Sequence, residues 1–517
     1  DAIRKIAPVP QIRVIDHYSI MYCAAIDQGT TSTRFIVCDH EGTVVGMAQK
    51  EHEQIMPRPG WVEHDPMTII QNATDCVREC LESAHISRND LAAVGITNQR
   101  ETLVIWNRLT GKPLYNAIVW MDCRGDEVIS HFRDAHEKEW YQEKTGLPLS
   151  SYFTAPKLYW AIKNVPGVRE GLADGSVFVG TIDSWLLWNL TGGVDSGLHF
   201  TDVTNASRTM LMNIHSGRWD KELLDVVGVP ASALPEIRSC SEVYGRGVGV
   251  LEGVRFSGSL GDQQAALFGQ TCFGAGEMKN TYGTGCFILM NTGERAVRSR
   301  NGLVTTVAYK LGEGPLTYAL EGSVTIAGAL VQWLRDNLGL IRSSAEIEAL
   351  ATSVASSEGM YVVPAFSGLY APYWRPDARG CFVGMTRMIN RNHICRAVLE
   401  ATAYQTFDVF EAMERDAGIP ITCLKVDGGM TRNNFLMQFQ ANICNTDIVV
   451  PKVRETTALG TCFAAGLAVG FWDSLEDIKQ RWVVGKKYHG EMDQEGIERR
   501  ISGWRKAIEK SLNWVDA

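Results

Sequence analysis

MYCAAIDQGTTSTRFIVC, residues 21–38, contains an apolar run (22–26), a polar bend Asp27-Gln28-Gly29-Thr30-Thr31 and a second largely apolar run (34–38). Short runs of this kind bounded by Asp, Gly and Ser read as strands, so the segment predicts strand, tight turn, strand. A turn at 40–42 and a further run at 43–48 extend it to a three-stranded meander. Asp65-Pro66 then supply a helix N-cap with proline at the first helical position, and Ile69, Ile70, Ala73, Cys76, Val77, Cys80 and Leu81 fall on one helical face. Strands return at 93–97, 103–106 and 117–120. Alternation of strands and helices predicts an α/β fold with mixed sheets flanked by helices.

Farther along, 254–260 reads as an apolar strand with a helix after it, and Asp262 is placed at that helix's N-cap. TCFGAG, residues 271–276, separates this helix from a hairpin at 278–291 and marks the domain boundary, with a hinge expected in it. The second half reads as helix at 323–335, buried strand at 359–364 and long helix at 392–413. Asp427-Gly-Gly-Met-Thr-Arg echoes Asp27-Gln-Gly-Thr-Thr-Ser four hundred residues earlier, each after a short apolar strand. One such bend is explained by turn geometry alone; one per half predicts a duplicated fold with a cleft between the halves.

The 517 residues carry 50 Lys and Arg against 59 Asp and Glu, a net charge of −9, and 45% hydrophobic residues. That balance excludes a disordered chain and disfavours generic nucleic-acid or anionic-membrane binding. The 13 cysteines include no CxxC pair and read as reduced, buried thiols of a cytoplasmic protein. No HxxxH or HExxH spacing occurs, so a metal is expected to arrive with substrate. The uncharged stretch between Glu455 and Asp473 is interrupted by Gly460, Gly466 and Gly470 and reads as a buried helix, not a membrane span. Residues 1–20 read as an N-terminal extension whose Arg4, Lys5 and Arg13 leave room for an organelle presequence.

Several segments can carry chemistry. Asp27 offers a carboxylate to Mg²⁺, and Thr30, Thr31 and Arg34 offer donors to phosphate oxygens. Tyr282-Gly-Thr-Gly-Cys-Phe can bring main chain close to a phosphate, although a hairpin turn explains its glycines equally well. Neither GxxxxGK[ST] nor GxGxxG is present. Asn98-Gln-Arg-Glu, at a strand end, is either a solvated turn or a set of donors and acceptors for a polyol. Asp262 is either a cap, contributing about 1 kcal/mol, or a base that takes a proton from a hydroxyl attacking phosphorus. Trp185, Trp188 and Trp333 read as core, and Cys286 as a buried thiol.

Together, DQGTTSTR at 27, GITNQRE at 95, AIVW at 117, YFTAPKLYW at 152, GDQQAALFGQ at 261, NTYGTGCF at 280, GCFVGM with HICRAVLE across 380–400 and DGGMTRNN at 427 resemble the FGGY family of carbohydrate kinases, and within it the glycerol kinases. The resemblance runs from Met21 to about Trp514. It implies two actin-like, ribonuclease-H-like ATPase domains, 21–272 for glycerol and phosphate and 273–517 for ATP. It also implies ATP-dependent phosphorylation of glycerol to sn-glycerol 3-phosphate. Asp262 would be the general base. Arg100, Glu101, Tyr152, Asp262 and Gln263 would bond the hydroxyls, with Trp120 and Phe287 against the carbons. Asp27 would lie near Mg²⁺. Thr30, Thr31, Arg34 and Thr284 would meet the phosphates, with Gly328, Gln332, Gly429 and Asn433 around the nucleotide. A dimer or tetramer is implied too. Residues 244–258 lack the glycine-rich basic loop that binds fructose 1,6-bisphosphate in bacterial glycerol kinases. A pentulose or tetritol kinase of the same family is the nearest rival, disfavoured by NQRE and Trp120.

Overall fold

In the computed structural model, which describes residues 21–515, the opening segment forms β1 (Tyr22–Gln28), β2 (Ser32–Cys38) and β3 (Val44–Glu51), each antiparallel to the next. The expected extension at 1–20 lies outside the described residues. β1 is buried on both faces, and its period of two sorts its side chains between two cores. Ala24 and Ile26 join the cluster under α1 (Pro66–Ala84), while Cys23 and Ala25 join the one that holds Leu459, Cys462 and Phe463. α1 starts as the sequence predicts: Asp65 accepts from the Met67 N–H at 2.9 Å and proline stands at N1.

The first sheet is completed by β4 (Leu91–Asn98), β5 (Ser241–Arg246) and β6 (Arg255–Gly261), in the order β5-β6-β4-β1-β2-β3. β4 runs parallel to β1 and β6, and β5 antiparallel to β6. Between β4 and β5 the chain builds a separate core around Phe132, Tyr141, Trp160 and Leu211, which includes α2 (Thr154–Asn164). From β6 it enters α3 (Asp262–Gly269).

The second sheet contains β7 (Met278–Tyr282), β8 (Cys286–Gly293), β9 (Val304–Tyr309), β10 (Thr317–Val324), β11 (Cys423–Asp427), β12 (Asp447–Pro451) and β13 (Val484–Tyr488), in the order β9-β10-β8-β7-β11-β12-β13. Its helices are α4 (Gly328–Asp336), α5 (Arg391–Ala417), α6 (Asn434–Cys444) and α7 (Thr456–Ala468). The helix expected at 323–335 begins only at Gly328. Ser323 and Val324 still pair with Phe287 and Cys286, because the apolar spacing that continues into α4 overlaps the end of a strand.

Set side by side, β3-β2-β1-β4-β6-β5 and β10-β8-β7-β11-β12-β13 have the same order and directions, two antiparallel pairs, two parallel pairs and an antiparallel edge. The duplication is therefore present, but the Asp27/Asp427 echo does not mark equivalent places. Asp27 is on the first strand of its sheet, opposite Thr97, and Asp427 is on the counterpart of β4, opposite Thr281. The counterpart of the Asp27 turn is the β7–β8 turn at 283–285.

The halves are joined by crossing helices. α3 leaves the first sheet and contacts β7, β8 and β9, whereas α7 leaves the second and contacts β1, β4 and β6. Where they cross, Gly269 meets Gly460: a Cβ on Gly269 would lie 1.9 Å from the Thr456 carbonyl oxygen, and one on Gly460 2.0 Å from that of Ala265. No described helix is long and apolar enough to cross a membrane. All 13 cysteines are unbridged, and Cys286 is buried, its thiol pushed up to about 12 by that burial.

Candidate active site

Strands of both sheets meet at α3. The helix's N-cap is Gly261, with no side-chain capping bond, so the placement of Asp262 as a cap is corrected: it is the first helical residue. A Cβ on Gly261 would lie 2.7 Å from the Arg100 Cδ, which is why glycine rather than a polar cap precedes the helix. One Asp262 oxygen accepts from the Gln263 N–H at 2.8 Å and stands 3.3 Å from the Arg100 Nε, and 28% of the side chain stays exposed. Burial raises its pKa against the pull of Arg100 and Lys279. The result is a carboxylate that is reachable, oriented and more basic than usual.

Arg100 and Glu101 follow β4, Glu101 with φ +61°, a backbone position that non-glycine residues seldom take. Arg100 forms a fork to Glu321 on β10, at 2.6 and 2.8 Å. Arg208 donates to Glu101 at 2.6 Å and to Glu321 at 3.2 Å, and its second terminal nitrogen is buried with no partner among the described residues. Burial works to raise the pKa of Glu321, but the two guanidinium groups win and lower it to about 2. This buried chain of charges ties the two sheets together.

Three rings from separate segments form one wall. Trp120 lies edge-on to Tyr152 at 5.5 Å and to Phe287 at 6.4 Å. Its Nε1–H donates to the Thr30 hydroxyl at 2.9 Å, which fixes the aromatic wall beside the β1–β2 turn. Gln263 adds its amide, whose oxygen accepts from Lys279.

Asp27 pairs across the β1–β2 ladder with Arg34. Its carboxyl makes no side-chain hydrogen bond among the described residues, and burial, with Asp262 and Glu455 adding to it against Arg34, pushes its pKa up to about 6. Arg34 donates to Gln49 at 2.9 Å and to Glu455 at 3.1 Å, and Thr31 is exposed at the turn. On the other side, the Gly328 N–H bonds to the Gly283 carbonyl and that of Ala329 to the Thr284 carbonyl, both at 3.0 Å. Gly428 lies so close to the Tyr282 carbonyl that a Cβ would approach to 2.2 Å. Thr284, Gly328 and Gly429 thus belong to touching loops, with Gln332 exposed one turn along α4. Asn433 caps α6 through its oxygen, at 2.9 Å from the Leu436 N–H. Asp427 is committed inside the protein, accepting from Gln270 and Thr456 at 2.8 Å each.

Sequence reading missed Arg208, Glu321 and Lys279. Only Glu321 is a charge inside an apolar stretch (YALEG, 318–322); Arg208 in TNASRT and Lys279 in GEMKNT sit among polar residues and carry no local signal. Among the described residues no group of three or more His, Cys, Asp or Glu side chains is arranged to hold a metal ion by itself.

The model of the FGGY family of carbohydrate kinases, N-terminal domain, matches residues 22–269, and that of the C-terminal domain residues 278–469. A glycerol kinase of Roseiflexus sp. (strain RS-1) is 56% identical over 495 residues, 96% of this chain and 99% of its own. One from Methylorubrum extorquens (strain PA1) is 58% identical over 492 residues, 95% and 98% of the two chains. The crystal structure of Plasmodium falciparum glycerol kinase with ADP superposes with a TM-score of 0.90 at 40% identity, covering 96% of this chain and 99% of that one.

Proposed function

From the premise that the chain belongs to the FGGY family of carbohydrate kinases, we propose that it transfers the γ-phosphoryl group of ATP to a terminal hydroxyl of glycerol, giving sn-glycerol 3-phosphate and ADP. The supporting observation is the position of Trp120. Its ring packs with Tyr152 and Phe287, and its N–H bonds Thr30, so an alcohol lying on the rings sits next to the phosphate turn.

Phosphoryl transfer needs positioning and charge compensation more than covalent help. Arg100, Glu101, Tyr152, Asp262 and Gln263 supply donors and acceptors for three hydroxyls, and the rings cover the carbons. Asp262 accepts the proton of the attacking hydroxyl, and its raised pKa strengthens it as a base. Thr30, Thr31, Arg34 and Thr284 meet the phosphates, while Gly328, Gln332, Gly429 and Asn433 hold the nucleotide. Asp27 suits a Mg²⁺ brought by ATP, because its carboxyl has no hydrogen bond among the described residues and other carboxylates oppose its charge. Bound there, the ion would neutralise phosphate charge. We place the enzyme in the cytoplasm, as a dimer or tetramer measurable by size-exclusion chromatography with light scattering.

The test is ADP release with glycerol, dihydroxyacetone, erythritol and xylulose, for the unmodified chain and for Asp262→Asn. Glycerol should be turned over selectively, and the variant should lose about 10²- to 10⁴-fold in kcat with its fold intact. Equal activity in the variant removes Asp262 as the base, and preference for xylulose removes glycerol as the substrate.

A further inference from the structure

Lys279 stands on β7 without exposed surface. Its Nζ donates to the Gln263 Oε1 at 2.5 Å, the Thr281 Oγ1 at 2.9 Å and the Phe287 carbonyl at 3.2 Å. An ammonium has three donors and no acceptor, so every proton is spent inside the protein and only the oxygen end of the Gln263 amide can face it. The Gln263 Nε2 is thereby turned away from the lysine, and it makes no hydrogen bond among the described residues. Beside it stands the Asp262 carboxylate, held by the Gln263 N–H. The lysine therefore determines that an amide donor lies next to a carboxylate acceptor, which is the pairing that neighbouring alcohol groups require.

We propose that Lys279 is a positioning residue that fixes the Gln263 amide as a donor to a glycerol hydroxyl and holds it beside the Phe287 carbonyl of the neighbouring strand β8. The inference rests on the reading of the site as that of a glycerol kinase. Lys279 touches no substrate; it acts through Gln263. Without it the amide is free to rotate, and a hydroxyl then meets oxygen as readily as nitrogen.

Steady-state kinetics of the full chain with glycerol and Mg-ATP test this. Lys279→Met should raise KM for glycerol about tenfold while KM for ATP changes less than twofold, the loss of about one hydrogen bond on one substrate only. Lys279→Gln, which returns an N–H to Gln263, should recover part of it. Lys279→Met on top of Gln263→Ala should cost nothing further for glycerol, because the two residues act as one unit. Gln263→Glu keeps the acceptor for Lys279 but loses the donor; it should melt no lower than the unmodified chain and bind glycerol about tenfold more weakly. Equal rises in both KM values, additive effects in the double variant, or an unchanged KM in Gln263→Glu would each overturn the proposal. Gln263→Glu alone decides if the lysine variants do not fold. Failure of the unmodified chain to phosphorylate glycerol would instead remove the underlying reading, and the inference with it.

Discussion

Asp27, proposed above to meet Mg²⁺, carries a cost in stability. The folded chain holds its proton up to about pH 6, whereas the unfolded chain releases it at about pH 3.9. Folding therefore binds a proton between those values, and stability falls as pH rises through them. Asp27→Asn removes that loss. It should raise stability at pH 7.5 by up to about 3 kcal/mol, with the gain gone by about pH 3, as urea unfolding at the two pH values would show. Its kinase activity should fall sharply at the same time, in the ADP-release assay at saturating Mg-ATP. Legibility at this scale was uneven. The Asp27 bend, NQRE and GDQQ stood out because they are polar runs at strand ends. Arg208 and Glu321 did not, because the role of each is set by a charged partner from a distant segment.

Elements were legible where periodicity and punctuation agreed. α1 has its cap, its proline and one apolar face in agreement, so its start was predicted to the residue. The start of α4 was misplaced because β10 ends in Val324, whose spacing to Ala327 and Val331 also fits a helix. The crossing of α3 and α7 depends on two glycines whose role is invisible locally: Gly460 sits in a helix interior, where it costs about 1 kcal/mol relative to alanine. Its value lies in letting the backbones touch. Gly460→Ala should therefore destabilise rather than stabilise, by about 1–3 kcal/mol or more in a denaturant titration, since the Ala265 carbonyl leaves no space for a methyl group. A stabilised Gly460→Ala would show that the helices can separate at no cost.

At the scale of the molecule, the two sheets meet through α3 and α7 and through the Arg100–Glu321–Arg208 chain of charges. The segment 271–276, expected to be a hinge, is one crossing between the halves; the chain crosses again on entering α7 and a third time on returning from it to β13. Closure about the Gly269–Gly460 contact would keep water from the bound triphosphate and let glycerol compete for it. We expect the radius of gyration from small-angle scattering to fall when glycerol and a nonhydrolysable ATP analogue bind together, and an unchanged radius would argue against closure. The amino-acid sequence by itself determined the α/β class, the meander, the capped helix and the segments that resemble a sugar-kinase family, because turns, caps and periodicity are short-range properties of the chain. Only the tertiary structure decided that the Asp27 turn is matched by the turn at 283–285 rather than by the Asp427 bend, that Asp262 is the first helical residue and stays partly exposed, and that Lys279 orients Gln263. Each of these depends on strand order and on contacts between residues far apart in the chain, which no local pattern encodes.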